Sequence, residues 1–433
     1  MAKEFPKGHR IKVASGSELE VIKKLGDGGQ GIVYRVKYGG KEFALKWYFF
    51  SKLRNPKDFY ENIKNNIMQG APARSFLWPI EITEHQDGSF GYLMNIIPQN
   101  YKKFSLFLLA KENFSSVETL VNAALNIVSG FRALHNKGYS YQDLNDGNFF
   151  ISPNTGDVLI CDNDNVAPYG FSLGVGGKCR YMAPEIVVGK KRPDIHTDRF
   201  SLALILFLLL FGNHPLEGKR TACPCLTEAL EKKYYGSEPI FTYDPNDDSN
   251  CPVRGVHINV INNWPLFPDF IQKTFTEAFS NAALIGADVE HRVPEKQWQE
   301  VFTSLRDKII KCSCGSETFI DVDSASSLCI ECGRNIPKPP VLKVQKYQVV
   351  LYPGNKLYKC HVAGNSEDCT EIMGEVVQSK TSQDRWGIKN LSDISWIGTS
   401  PKDEQRAVGK GEFIPIARGF KINFGNNNLA EIQ

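Results

Sequence analysis

Four side chains stand at spacings that suit phosphoryl transfer. In Tyr141-Gln-Asp143-Leu-Asn-Asp-Gly-Asn148 a carboxylate and an amide lie five residues apart, and fourteen residues later Leu159-Ile-Cys-Asp162 ends an apolar strand on an acid. Asp and Asn also dominate turns, so each alone reads equally as turn chemistry. Together they supply an acid to orient a hydroxyl, plus an amide and an acid to hold Mg²⁺ on phosphates. Upstream, Gly26-Asp-Gly28-Gly-Gln-Gly31 spells G-x-G-x-x-G. Missing Cβ atoms there let backbone N–H groups approach phosphate oxygens. The run enters Ile32-Val-Tyr-Arg-Val36, a strand, where a dinucleotide site would need a helix. Lys46, fifteen residues beyond Gly31, closes the apolar strand Phe43-Ala-Leu-Lys46. A solvated strand end would look the same; beside a glycine loop, the lysine reads as a phosphate contact.

A second constellation is made of sulfur. Cys312-Ser-Cys314-Gly and Cys329-Ile-Glu-Cys332-Gly are separated by 14 residues. Four thiolates in two close pairs suit tetrahedral Zn²⁺, and the glycines permit tight knuckle turns. The pattern resembles a zinc ribbon, although its first pair is C-x-C. A closed four-ligand site implies a structural role, stapling a unit too small for a core of its own. Cys223-Pro-Cys225 with Cys251 offers a second metal site or a plain helix-connecting loop. Cys161, Cys179, Cys360 and Cys369 read as free thiols.

The elements that must position these groups fall into zones. Glycine-broken alternating runs from Glu18 to Tyr48 predict an antiparallel sheet, followed by a helix near Pro56–Met68 and more strands to Ile97. Helical periodicity at Ser116–Leu134 and Asp198–Phe211 marks a mostly α zone running to about Ile310. Pro337-Lys-Pro-Pro340 reads as a semi-rigid link, and the β-rich remainder as a small all-β unit. A 433-residue chain with 42% hydrophobic and 23% charged residues has material for several cores, which excludes disorder and fibrous repeats. Fifty-one basic against 48 acidic residues give +3, with no long basic run to attract nucleic acid. The longest apolar run, Leu202 to Phe211, is half of what a bilayer needs, so no membrane partner is expected. The opening residues lack the apolar stretch of a secretion signal, and the clumped cysteines fit a reducing compartment. A cytoplasmic location is expected.

From about residue 15 to 308 the chain resembles a eukaryotic-like (Hanks-type) bacterial Ser/Thr protein kinase, matching its motifs in order and spacing. The resemblance implies a two-lobed fold, with a β-rich lobe over 1–98 and an α-rich lobe over 99–308. A zinc ribbon over 309–336, a linker over 337–344 and a sandwich over 345–433 complete an α+β multidomain chain. It implies ATP between the lobes, beneath Gly26, Gly28 and Gly31, beside Val33 and Ala44, and gripped by the hinge Met94, Asn95 and Ile97. Lys46 would pair with the α- and β-phosphates, and Glu61, on the predicted helix, would orient it. Asp143 matches the catalytic base, and Asn148 and Asp162 the ligands of Mg²⁺ or Mn²⁺. Ala183-Pro-Glu185 matches the end of the activation segment, Asp198 the buried aspartate of the apolar helix, and Arg292 the partner of Glu185.

The departures matter as much. Tyr141 and Gln142 replace the family's His-Arg, so a phosphorylated activation loop would find no arginine. Between Asn165 and Arg180 the only hydroxyls are Tyr169 and Ser172. Asn145 replaces a lysine that steadies the transferring phosphoryl; Lys178 either restores that charge or is a solvated loop lysine. Asp162-Asn163-Asp164 stands in place of Asp-Phe-Gly, which should hinder a flip of the segment. The last ninety residues resemble a forkhead-associated (FHA) β-sandwich, a phosphothreonine-binding family, with Lys359, His361, Asn390 and Ser392 as the groups to test. The whole order is similar to bacterial kinases that accompany a metal-dependent phosphatase and a von Willebrand-type domain protein, which implies a stress-signalling module acting on a protein substrate. The rival reading is a pseudokinase scaffold working through its ribbon and β domain.

Overall fold

The computed structural model describes residues 4–53, 55–86, 88–171, 173, 177–286, 292–364, 366–379, 385–426 and 428–433. Ser172, one of the two loop hydroxyls, lies outside the described residues. Two compact units emerge: 1–115 with 126–263 and 273–296, and 116–125 with 264–272 and 297–433. Among the described residues no helix is long and apolar enough to cross a membrane.

The first unit opens with one antiparallel sheet. Its strands are β1 (Arg10–Lys12), β2 (Glu18–Asp27), β3 (Gly31–Tyr38), β4 (Lys41–Tyr48), β5 (Glu81–Ile82) and β6 (Gly91–Met94), ordered β1-β2-β3-β4-β6-β5. Alternation sorts their side chains into two faces. Ile32, Tyr34, Val36, Leu45 and Trp47 pack on one. Val33, Ala44, Tyr48, Tyr92 and Met94 pack on the other. Register sets Lys46 opposite both Val33 and Tyr92, and Ala44 opposite Met94, so the lysine shares the second face.

Helix α1 (Pro56–Gln69) starts at a proline and buries Phe59, Asn62, Ile63 and Asn66, an i, i+3, i+4, i+7 stripe. Farther on, α2 (Val117–Asn136) contributes residues to both units. The hairpin of β7 (Phe149–Ile151) and β8 (Val158–Ile160) follows. Helix α3 (Ile195–Phe211) opens on a capping box, in which Asp194 accepts from the Thr197 amide at 2.9 Å. Leu202 to Phe211 are all buried in it, as their composition requires.

In the second unit two hairpins, β9 (Ile309–Lys311) with β10 (Glu317–Phe319) and β11 (Ser326–Leu328) with β12 (Asn335–Pro337), carry the cysteines. They are followed by β13 (Val341–Val344), β14 (Tyr347–Val350), β15 (Lys356–Tyr358), β16 (Ile372–Gln378) and β17 (Trp386–Asn390). The remaining strands are β18 (Trp396–Thr399), β19 (Gln405–Val408), β20 (Phe413–Pro415), β21 (Lys421–Asn423) and β22 (Leu429–Ile432). Six of these strands pair as β14-β13-β22-β21-β18-β19 and four as β15-β16-β17-β20. Leu342, Val349, Leu357, Val376, Ile388, Trp396 and Ile422 share the core of this all-β region. Gly374 is needed there, because a Cβ would lie 2.8 Å from the Trp396 ring.

Candidate active site

Strand β4 delivers Lys46 to a buried carboxylate cluster. Its Nζ lies 2.8 and 3.1 Å from the two Asp164 oxygens and 3.1 Å from Asp162 Oδ1. Gln30, at the glycine turn, reaches the same Nζ at 3.4 Å. Burial works to lower the ammonium's pKa, but the Asp164 and Asp162 charges outweigh it and hold the group raised. The Asp164 side chain has no solvent exposure and accepts from Tyr48 Oη at 2.6 Å and Tyr92 Oη at 3.1 Å.

Glu61 is not the partner of Lys46. Its side chain is 54% exposed and pairs with Lys64, 3.6 Å away on the same helix. The reason is angular: the buried stripe of α1 runs through Phe59, Asn62, Ile63 and Asn66, and Glu61 falls outside it. The inward positions are neutral, with Asn62 and Asn66 amides donating to the Val166 carbonyl at 2.8 and 2.9 Å.

The loop between α2 and β7 is pinned from below by Asp198. This buried α3 aspartate accepts from the Tyr141 amide at 2.6 Å and the Gln142 amide at 3.4 Å, and contacts His135 Nε2 at 3.1 Å. Tyr141 donates its hydroxyl to the Cys161 carbonyl, immediately before Asp162. Asn148 Oδ1 accepts the Asn145 amide at 2.8 Å, while its Nδ2 lies 3.4 Å from Asp162 Oδ2. Asp162 itself adopts the left-handed conformation, φ 57°. Asp162 can ligate a divalent cation through its carboxylate, and Asn148 can join it only through Oδ1, which keeps one lone pair beyond the Asn145 amide.

Asp143 is raised to about 6, mainly by burial and then by the Asp162 charge; Asn145 and Lys178 oppose the shift. Lys178 Nζ donates to Asn145 Oδ1 at 2.9 Å, so the two residues exchanged relative to the family pattern touch each other. Gln142, at φ 67°, donates to the Phe171 carbonyl at 2.6 Å and accepts from the Leu173 amide at 3.2 Å. A neutral amide thus braces the loop where the family places an arginine. Arg292 and Glu185 form a bidentate pair, 2.7 Å at each oxygen.

The glycines divide by role. A Cβ on Gly31 would meet the Trp47 carbonyl at 2.1 Å, so the sheet itself demands glycine there. Around Gly26 and Gly28 nothing lies within 4 Å, leaving the turn open for a ligand to approach. In the hinge segment Met94 is buried, Asn95 exposed and Ile97 half-buried.

The protein kinase domain family matches residues 19–397. The chain belongs to the protein kinase family. Among its relatives, a probable serine/threonine-protein kinase of Dictyostelium discoideum is 28% identical over 203 residues, covering 46% of this chain and 14% of that protein. Protein kinase YegI of Escherichia coli K12 is 27% identical over 326 residues, 70% of this chain and 47% of its own length. Human ribosomal protein S6 kinase alpha-4 is 26% identical over 231 residues, 49% of this chain and 29% of that protein. The chain therefore spans less than half the length of each of these relatives.

The kinase also carries the sulfur cluster. Cys312, Cys314, Cys329 and Cys332 bring their sulfurs within 4.8 Å of one another, close enough to share a metal ion. Backbone amides of the knuckle turns, Cys314 for Cys312 and Cys332 and Glu331 for Cys329, lower the Cys312 and Cys329 thiols, whereas for Cys314 the Ser316 amide is outweighed by burial and the neighbouring sulfurs, which hold it raised. Cys223, Cys225 and Cys251 are exposed and form no such cluster among the described residues. In the sandwich, the groups expected to hold a phosphate are spent internally. His361 and Asn390 have no exposure and Ser392 only 5%. Asn390 donates to the Ile394 and Val408 carbonyls, Ser392 donates to Asn390, and Lys359 pairs with Glu371 at 2.7 Å. Sequence reasoning missed Asp164, Tyr48 and Tyr92. Strand alternation from Lys46 held a signal for Tyr48, two positions on and so on the same face.

Proposed function

We propose that this chain is an ATP-dependent protein kinase that transfers the γ-phosphoryl group to Ser or Thr of a protein substrate, in a bacterial signalling or stress-response setting. The observation that carries this reading is the convergence of Lys46 on Asp162, and of Asp162 on Asn148, five residues along the loop from a partly buried Asp143. Asn148 and Asp162 would hold Mg²⁺ or Mn²⁺, which when bound offsets phosphate charge. Lys46 would bind the α- and β-phosphates beneath Gly26, Gly28 and Gly31, with Val33, Ala44, Met94, Asn95 and Ile97 around the base. Asp143 orients the substrate hydroxyl and takes its proton as the γ-phosphorus–oxygen bond forms and the bond to the β-phosphate oxygen breaks.

The four-sulfur cluster fits Zn²⁺ in a ribbon, held by Cys312, Cys314, Cys329 and Cys332. Elemental analysis should find one zinc per chain and none in Cys329→Ser, with loss of hydrogen-exchange protection across 309–337. The FHA-like sandwich, with His361, Asn390 and Ser392 buried and Lys359 paired to Glu371, fits a protein-docking module better than a phosphothreonine reader. The deciding experiment is transfer of labelled γ-phosphate from ATP to the protein itself or to a mixed protein substrate. Transfer by wild type that vanishes in Asp143→Asn supports the reading, and transfer that persists in the variant overturns it.

A further inference from the structure

Lys46 is held by an acid that follows the metal-binding aspartate, on a turn rather than on a helix. We propose that Asp164, clamped by Tyr48 and Tyr92, is the positioning residue for Lys46, and that helix α1 supplies the lysine no charged partner. The inference rests on the kinase reading above and adds to it the means by which the lysine is engaged.

Three observations converge. Asp164 bonds Lys46 through both oxygens, whereas the two acids of α1, Asp58 and Glu61, are exposed. Each Asp164 oxygen also accepts a phenol: Oδ2 from Tyr48 on β4 and Oδ1 from Tyr92 on β6. Both phenols come from the sheet that carries Lys46, and the acid from the Asn163–Asn165 turn, so every hydrogen-bonding group of the clamp lies on the sheet or the turn, while Phe59 of α1 packs edge-on 5.2 Å from the Tyr48 ring. Helix α1 touches the same turn region through the amides of Asn62 and Asn66, which bond a backbone carbonyl and carry no charge. Helix α1 therefore supports the clamp through packing and neutral hydrogen bonds, and a shift of α1 would take no charged partner away from Lys46. The buried carboxylate also cannot drift toward a cation, since four donor contacts already saturate it.

The test uses the full chain. Asp164→Asn should lower kcat about 100-fold and change KM for ATP less than about threefold. Lys46→Ala should do the same, and the double variant should be no worse than the poorer single one, because the two residues act as a unit. Glu61→Gln should match wild type. A reading that does not need turnover is acylation of Lys46 by an amine-directed reagent at pH 8, followed by peptide mass spectrometry. Removing the Asp164 charge should leave the amine held by the Asp162 charge alone and raise labelling several-fold, with Glu61→Gln unchanged. Should Asp164→Asn fail to fold, Tyr48→Phe serves: a roughly fivefold loss in kcat that disappears in the Lys46→Ala background. Losses that multiply in the double variants, or a Glu61→Gln defect as large as that of Asp164→Asn, would overturn the inference. Activity surviving Asp143→Asn would instead defeat the kinase reading, and the labelling comparison would still judge Asp164.

Discussion

Asp143 shows how a single residue trades stability for chemistry. Its carboxyl is held at about 6 against an ordinary 3.8, chiefly by burial. In its proposed role as base it must be ionised, so activity should fall as pH drops through about 6, and a pH–rate profile checks this. The same shift fixes the sign of its effect on folding. A raised carboxyl contributes stability in full below its unfolded value, and that contribution is lost as pH rises through about 6. Above pH 7 the native state therefore carries a cost of at most roughly 3 kcal/mol, which asparagine does not. Asp143→Asn should abolish transfer yet melt a few degrees higher than wild type at pH 8, with the difference gone at pH 4. Equal melting at both pH values would show that burial does not govern this acid. Lys178 belongs to the same scale. Bonded to Asn145 and lowering Asp143, it stands where a cation near the transferring phosphoryl is missing. Lys178→Ala should reduce kcat about 10- to 100-fold with little change in KM for ATP. Unchanged turnover would make it a solvated loop lysine.

Between residues and the whole lie the elements, and here the limits of reading a sequence become physical. The glycine turn, Lys46, Asp143, Asn148, Asp162 and Asp198 were legible because strand, turn and spacing constrain them locally. Glu61 was misread because its pairing depends on the rotation of α1 about its own axis. That rotation is set by Phe59 and Ile63 seeking the core, and it turns Asn62 and Asn66 inward instead. Asp164 was passed over because its partners, Tyr48 and Tyr92, lie 116 and 72 residues away in the chain. His135 is a second case of long-range assembly. It bridges Asp198 of α3 at 3.1 Å and Glu295, the first residue of α4 (Glu295–Arg306), at 2.8 Å. Burial works to lower its pKa, but bonds to both carboxylates raise it to about 9. A raised imidazole stabilises fully below its unfolded value and loses that contribution as pH climbs through about 9. Thermal melts should therefore show a decline from about pH 6.5 to about pH 9 that His135→Gln lacks. A wild-type profile flat across that window would mean the three elements are joined without an imidazolium.

At the scale of the whole molecule, composition changes near residue 309, whereas the second compact unit gathers 116–125, 264–272 and 297–433. Arg306 explains the grouping. Only 7% exposed, it donates to Asn122 at 3.0 Å and to the Cys369 carbonyl at 2.6 Å, and stacks 3.4 Å from the Tyr358 ring. Lys356 reaches Glu118 at 2.9 Å, and Asn355 donates to the Ile309 carbonyl at 3.1 Å. A buried guanidinium with three partners from distant stretches is costly to strand, since each lost partner leaves charge without solvent. Arg306→Ala in the full chain should lose about 2–4 kcal/mol, lowering the melting temperature by several degrees. Arg10→Ala, which removes a surface pair with Glu18, should cost under about 0.5 kcal/mol. Ending the chain at residue 308 keeps Arg306 but removes Tyr358 and Cys369, so that truncation should melt lower and aggregate more readily than Arg306→Ala. A 1–308 fragment as stable as the full chain would show that these contacts serve the sandwich alone. Until that comparison is made, loss of phosphate transfer in a truncated chain speaks to folding before it speaks to catalysis.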